Sequence, residues 1–151
     1  MIYFRLIIIF LYFFILPCSV FATYTLPYPS YMPGNKLYSV SRIIDAVKEY
    51  WYWGKLGQAK YHLALADKYL VEAKTLFEYK QYLLAVDGLK RSDEHIKKVP
   101  MNKDAMLSHV EVLNYLLKTL PEQFTWTPEK GAATQLNLHE IIKNSINIRK
   151  P

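Results

Sequence analysis

At 151 residues the chain is long enough for one domain with its own core and too short for two ordinary ones. Its 52% hydrophobic content overstates that core, because Arg5 is the only charged side chain in residues 1–22. The formal balance of +6 favours contact with anionic partners by long-range attraction, and the single cysteine, Cys18, excludes an intrachain disulfide framework.

Residues 1–5 form a short positive n-region, "LIIIFLYFFIL" (residues 6–16) is a continuous apolar h-region, and Val20, Phe21 and Ala22 offer cleavage positions for an export signal. An apolar run of this length is short against the roughly 20 residues a spanning helix needs. Two readings stand: cleavage after Ala22, which Pro17 favours, and retention of residues 6–22 as a membrane anchor, since that stretch has no charge. Cys18 reads as a small apolar residue of this segment, with lipid attachment as the alternative, although Pro17 fits a lipidation signal badly. Residues 23–151 retain 18 Lys+Arg against 13 Asp+Glu. That excess suits anionic envelope lipids or polymers, and it is also common in exported proteins without a specific partner.

Residues 23–35 read as an extended leader, because Pro27, Pro29 and Pro33 fix their own backbone and push the preceding residues toward extended conformations. Pro33-Gly34-Asn35 is a turn signal, with Asn35 placed to cap the next helix. Residues 36–151 read as the bundle domain. Val40, Ile43, Ile44, Val47 and Trp51 recur on one helical face, predicting a first helix over 36–53 that buries this stripe, with "GKLG" as the following connection. The second helix is the clearest: Ala59, Leu63, Ala66, Leu70, Ala73 and Phe77 alternate four and three apart, the spacing of a bundle seam. Lys60, Asp67, Lys68, Glu72, Lys74 and Glu78 then fall on the outward side, with Lys68/Glu72 and Lys74/Glu78 as four-apart pairs. A third helix is expected over 81–98, ending before Pro100, with Gly88 inside it. A fourth, capped by Asn102, carries Met106, Val110, Leu113, Leu117 and Leu120. The pattern lapses over 122–131, where Phe124 and Trp126 read as loop aromatics plugging the bundle's end. A weak last helix over 132–148 carries Leu138, Ile141, Ile142, Ser145 and Ile148. The fold class is all-α, an antiparallel bundle of four to five helices with an extended Pro/Tyr-rich leader.

"MPGNKLYSVSR" (residues 32–42), followed by "QAKYHLALADKYLVEA" (residues 58–73), resembles an uncharacterised family of exported bacterial helical domains. That family shows a Leu-Pro-Gly turn, a Tyr, a Lys-Arg pair and then a Lys-Ala-Glu-Leu…Leu-Ala…Arg-Leu…Glu-Ala helix. The likeness extends loosely to "SHVEVLNYLLKTLPE" (residues 108–122); Met32, Ser41 and Lys68-Tyr69 depart from the pattern. It implies an exported, membrane-linked helical domain and transfers no catalytic residue. "LVEAKTLFEYKQYLLAVDGLKRS" (residues 70–92) is also similar to one tetratricopeptide-type hairpin, but no repeat of about 34 residues follows, so it reads as an ordinary helical hairpin.

His62, His95, His109 and His139 form no pair on one helix face, and the consecutive Asp93-Glu94-His95 point in different directions, so no metal site is expected. The five glycines are too scattered for a phosphate loop or a dinucleotide fingerprint, and no Gly-x-Ser-x-Gly elbow is present, so no cofactor and no enzymatic activity are expected. Basic and aromatic residues interleave in "KEYWYWGKLGQAKYH" (residues 48–62). Tyr50, Tyr52, Trp53, Lys55 and Tyr61 are the candidate contact surface, beside the alternative that Trp51 enters the core while Tyr52 and Trp53 cover a helix end. The expected partner is an unknown protein or an anionic envelope component, not nucleic acid, with membrane contact through the N-terminus if it is uncleaved. The sequence thus predicts an extracytoplasmic, envelope-associated bundle that works by interaction; the alternative is a sensor binding a small ligand or metal between helices.

Overall fold

A computed structural model describes residues 24–150; the expected export segment at residues 1–22, with Cys18, lies outside the described residues. The described chain is predominantly helical, with five helices and one two-stranded hairpin. The leader runs extended to a turn in which Gly34 adopts φ of 97°, a conformation open to glycine at little cost. Asn35 does not cap α1 (Tyr38–Lys48) as expected. Its side chain accepts from the Leu37 N–H within the preceding turn, at 2.9 Å. A 3-10 turn, Glu49–Trp51, ends this first unit.

α2 (Gly54–Glu78) begins four residues earlier than the sequence suggests and absorbs the "GKLG" stretch. Gly57 lets its first turn lie against the preceding chain: a Cβ there would sit 3.1 Å from the carbonyl carbon of Tyr52. Gln58 then caps two carbonyls, those of Glu49 and Tyr52. At its far end Lys80 takes φ of 60°, while Gln81 N–H bonds to Leu76 O and Lys80 N–H to Phe77 O. This is the Schellman closure, here with a lysine in the left-handed position that usually belongs to glycine. α3 (Tyr82–Ile96) returns along α2, and Gly88 lies against Ala73, so small residues set the close approach of the two helices.

α4 (Lys103–Thr119) is capped by Asn102 as its sequence implies, the side chain accepting from Ala105 N–H at 3.3 Å. The segment expected to be a loop instead forms β1 (Gln123–Trp126) and β2 (Thr134–Asn137), antiparallel, with Phe124 opposite Leu136. Threonines and aromatics suit these strands, and Pro128 and Gly131 shape the connection. The Phe124 ring lies tilted against Tyr82, centroids 4.6 Å apart, and packs on the core; Trp126 stays exposed and plugs nothing. α5 (Leu138–Arg149) follows directly, capped by Asn137, so it is shorter than the helix expected over 132–148.

Leu70, Ala73, Leu76 and Phe77 of α2 meet Ala85, Val86 and Leu89 of α3, Leu113 and Leu116 of α4, and Leu138, Ile142 and Ile146 of α5 in one core. Each large aliphatic buried there contributes about 1.5–3 kcal/mol. The expected seam of α2 is buried from Ala66 to Phe77, yet its supposed outward side is not outward: Asp67 and Glu72 are buried as well. α2 is the central helix, with α3 and the core on one side and the leader and α1 on the other, so it has little solvated face. The expected Lys68/Glu72 pair is accordingly absent, because both residues bond to α1; Lys74 and Glu78 do pair, at 3.7 Å.

Candidate interaction surface

α1 is amphipathic, but it seats the polar side of its surface inward. Tyr38, Ser41 and Asp45 follow one another at helical spacing along one stripe. The Tyr38 hydroxyl donates to Glu72 Oε1 at 2.8 Å and accepts from Arg91 at 3.0 Å. Lys68 donates to Ser41 Oγ at 2.9 Å and to the Asp45 carboxylate, and the Tyr61 hydroxyl donates to the Asp45 carbonyl at 2.8 Å. Burial beside Glu72 pushes the Tyr38 hydroxyl up to about 12. Burial also raises Glu72, whose Oε2 has no hydrogen-bond partner among the described residues, against the opposing pull of Tyr38 and Arg91.

The stripe expected in the core therefore points outward: Ile43 is 63% exposed, and Val40, Ile44 and Val47 are each nearly half exposed. Trp51 is exposed too, which corrects the alternative that placed it in the core. Of the candidate contact residues, Tyr50, Trp53 and Lys55 are exposed and Tyr52 is at the margin. Tyr61 is buried and belongs to the support of α1 through its bond to Asp45. The exposed set joins Leu37 and Leu56 to the α1 stripe, with Lys36, Arg42, Lys48 and Lys55 exposed on the same elements and Glu49 as their acidic neighbour. Sequence reasoning missed Val40, Ile43, Ile44 and Val47 as surface residues. The available signal was that α2 carries Lys68 and Glu72 toward α1, charges that only a polar stripe can satisfy.

A second cluster lies inside the bundle. Asp67 of α2 accepts from the Tyr24 hydroxyl and from His109 Nε2, the latter at 2.6 Å. Arg149, which can only donate, gives its Nε–H to His109 Nδ1 at 3.1 Å, so the ring carries its hydrogen on Nε2. Arg149 also reaches Asp93 Oδ1 at 2.5 Å, Ser145 Oγ at 2.6 Å and Ser92 Oγ at 2.8 Å. Burial pulls Arg149 below its ordinary pKa while Asp93 opposes the shift. Both nitrogens of His109 are engaged and the residue is fully buried, so this ring presents no base to a substrate. The network ties the leader, α2, α3, α4 and α5 together.

His62 and His95 meet across α2 and α3 with Nδ1 atoms 3.0 Å apart, between the rings of Tyr61 and Tyr69. Burial lowers both pKa values, aided by Lys98 and, for His95, by His62. Among the described residues no group of three or more His, Cys, Asp or Glu gathers as a metal cage. No helix among them is long and apolar enough to cross a membrane. Comparison with protein families, curated proteins and solved structures gave no match.

Proposed function

We propose that this chain is exported and acts at the cell envelope by contact rather than by catalysis, laying the outer face of α1 and its aromatic corner on an anionic membrane surface. The observation that carries this reading is the inversion of α1: four aliphatic side chains face out while the helix is held from behind by Asp45, Tyr38 and Ser41. An apolar stripe flanked by tryptophan, tyrosine and lysine is the composition of helices that lie in the headgroup zone. The apolar layout of residues 1–22, the balance of 18 Lys+Arg against 13 Asp+Glu beyond it and the likeness to exported helical domains support the same location.

The test uses the full chain carrying Trp126→Phe, so that Trp51 and Trp53 report. Vesicles with brominated acyl chains should quench both tryptophans when anionic lipid is present, and Ile43→Gln with Val47→Gln should remove most of that quenching. Those two positions are exposed, so folding stability should change by less than about 0.5 kcal/mol each. Equal quenching in the variant refutes the assigned surface. Export is read separately by fractionation with intact mass: a mass beginning at residue 23 outside the cytoplasm, or full length in membranes, supports it, and a full-length cytoplasmic product refutes it.

A further inference from the structure

A cleft of about 680 Å³ opens between the end of α3, the start of α4 and the end of α5, within the range of about 300–1,000 Å³ of small-ligand sites. Ile96, Val99, Met106, Val110 and Ile148 line it, and the exposed Met101 and Leu107 form its lips. Among the described residues its charged lining is all cationic: Lys97, Lys103 and Lys150 are exposed at the rim, and no aspartate or glutamate lines it. Arg149 also contributes to the wall, but its guanidinium is spent on His109, Asp93, Ser92 and Ser145 behind it.

Helix ends account for part of the ring only. Lys97 and Lys150 stand at carboxyl ends, where the helix dipole favours a cation. Lys103 is the first residue of α4, where the dipole disfavours one, and no salt bridge holds it among the described residues. A greasy trough with methionine walls, closed by like charges, is complementary to a molecule with an apolar tail and an anionic head.

We propose that this cleft binds a single-chain amphiphilic anion, an acyl carboxylate, with its tail along Met106, Val110 and Ile148 and its head among Lys97, Lys103 and Lys150. A volume of about 680 Å³ is on the scale of one small amphiphile rather than of a two-chain lipid. The inference is independent of the α1 surface, which shares no residue with it.

The full chain is photolabelled with a diazirine analogue of dodecanoate, and the labelled peptides are mapped by mass spectrometry. Label should concentrate on residues 96–110 and 148–150, and excess dodecanoate should displace it while dodecyltrimethylammonium at the same concentration does not. Lys97→Glu, Lys103→Glu and Lys150→Glu together should lower labelling at least fivefold, with circular dichroism and thermal melting checking the fold. Leu107→Gln, a single exposed change, gives a second reading and should weaken labelling about threefold. Labelling spread over α1, equal displacement by the cationic amphiphile, no response to either variant, or cross-links showing that residues 1–22 of the chain itself fill the cleft would each overturn the proposal.

Discussion

Replacing Arg149 with methionine keeps most of the side-chain stem and removes the guanidinium. Five hydrogen bonds disappear: one to His109, one to Asp93, two to Ser145 and one to Ser92. The serines retain partners, since Ser92 donates to Ala66 O and Ser145 to Asp93. The losses that matter are at His109 Nδ1, left without a donor in a fully buried ring, and at the Asp93 carboxylate, left without its cation. Removing one partner of a buried pair costs about 3–5 kcal/mol. The Asp93 side chain is 16% exposed and can recruit water, which places the expected loss at the lower end, about 3 kcal/mol. That is a large part of the roughly 5–15 kcal/mol that holds an ordinary domain. Urea unfolding followed by far-ultraviolet circular dichroism should show the midpoint falling by roughly 1–2 M at unchanged slope. Combining Arg149→Met with Asp93→Asn should cost less than the sum of the two single changes by more than about 1 kcal/mol. A loss below about 1 kcal/mol for Arg149→Met alone would mean that α5 is held by Leu138, Ile142 and Ile146 and that the network is incidental.

Three further outcomes are expected. The folded-state pKa values of His62 and His95 lie below 6.5, so their contribution to stability is complete above that pH and is lost as pH falls from 6.5 through the folded values. Urea midpoints at descending pH should show this decline, and it should shrink in the His62→Gln, His95→Gln double variant; an undiminished decline assigns it elsewhere. Glu72 has the opposite sign: its folded pKa is raised, so stability is complete below 4.5 and falls as pH rises through the folded value. Glu72→Gln should flatten that fall while Tyr38 keeps an acceptor, and a curve that parallels the parent between pH 4.5 and neutrality would show that burial of Glu72 is not its cause. Gly88→Ala places a Cβ 3.5 Å from that of Ala73, an ordinary contact, so helix propensity should dominate. A gain of about 0.5–1 kcal/mol, or roughly 2–4 °C in melting temperature, is expected, and destabilisation would show that the α2 and α3 backbones cannot give way.

The helices were legible because their spacing and stops are local. Asn102 caps α4 as read, Pro100 stands beyond α3, and Ala66, Leu70, Ala73 and Phe77 fill the core from the predicted seam. The α4 stripe was displaced: Leu113 and Leu116 are fully buried while Met106, Leu117 and Leu120 are only partly covered. β1 and β2 were missed because four-residue strands leave no alternation long enough to distinguish from a loop. The buried network joins residues about forty to sixty positions apart, such as Asp67 with His109 and Asp93 with Arg149, a pairing that no local pattern carries. Its trace lay in register alone: His109 stands four before Leu113 and Arg149 three after Ile146, each on a buried stripe where a polar residue must have a partner.

The misreading of α1 has a different cause. Periodicity says which side chains would leave water together, not which surface they meet. With its aliphatic face turned inward, α1 would press Val40, Ile43, Ile44 and Val47 onto Lys68 and Glu72, stripping those charges of partners at several kcal/mol each. With its polar stripe inward, Lys68 gains Asp45 and Ser41, and Glu72 gains Tyr38. Such bonds contribute about 1.5–3 kcal/mol when one partner is charged. Leaving four half-exposed aliphatics outside forgoes a comparable sum, since full burial of each is worth about 1.5–3 kcal/mol. Within the chain alone the two orientations are thus separated chiefly by the charges of α2, and those charges select the observed one. Any apolar phase that covers the outer stripe adds its gain to an orientation already satisfied from behind, so contact strengthens the seating of α1 without having to reverse it.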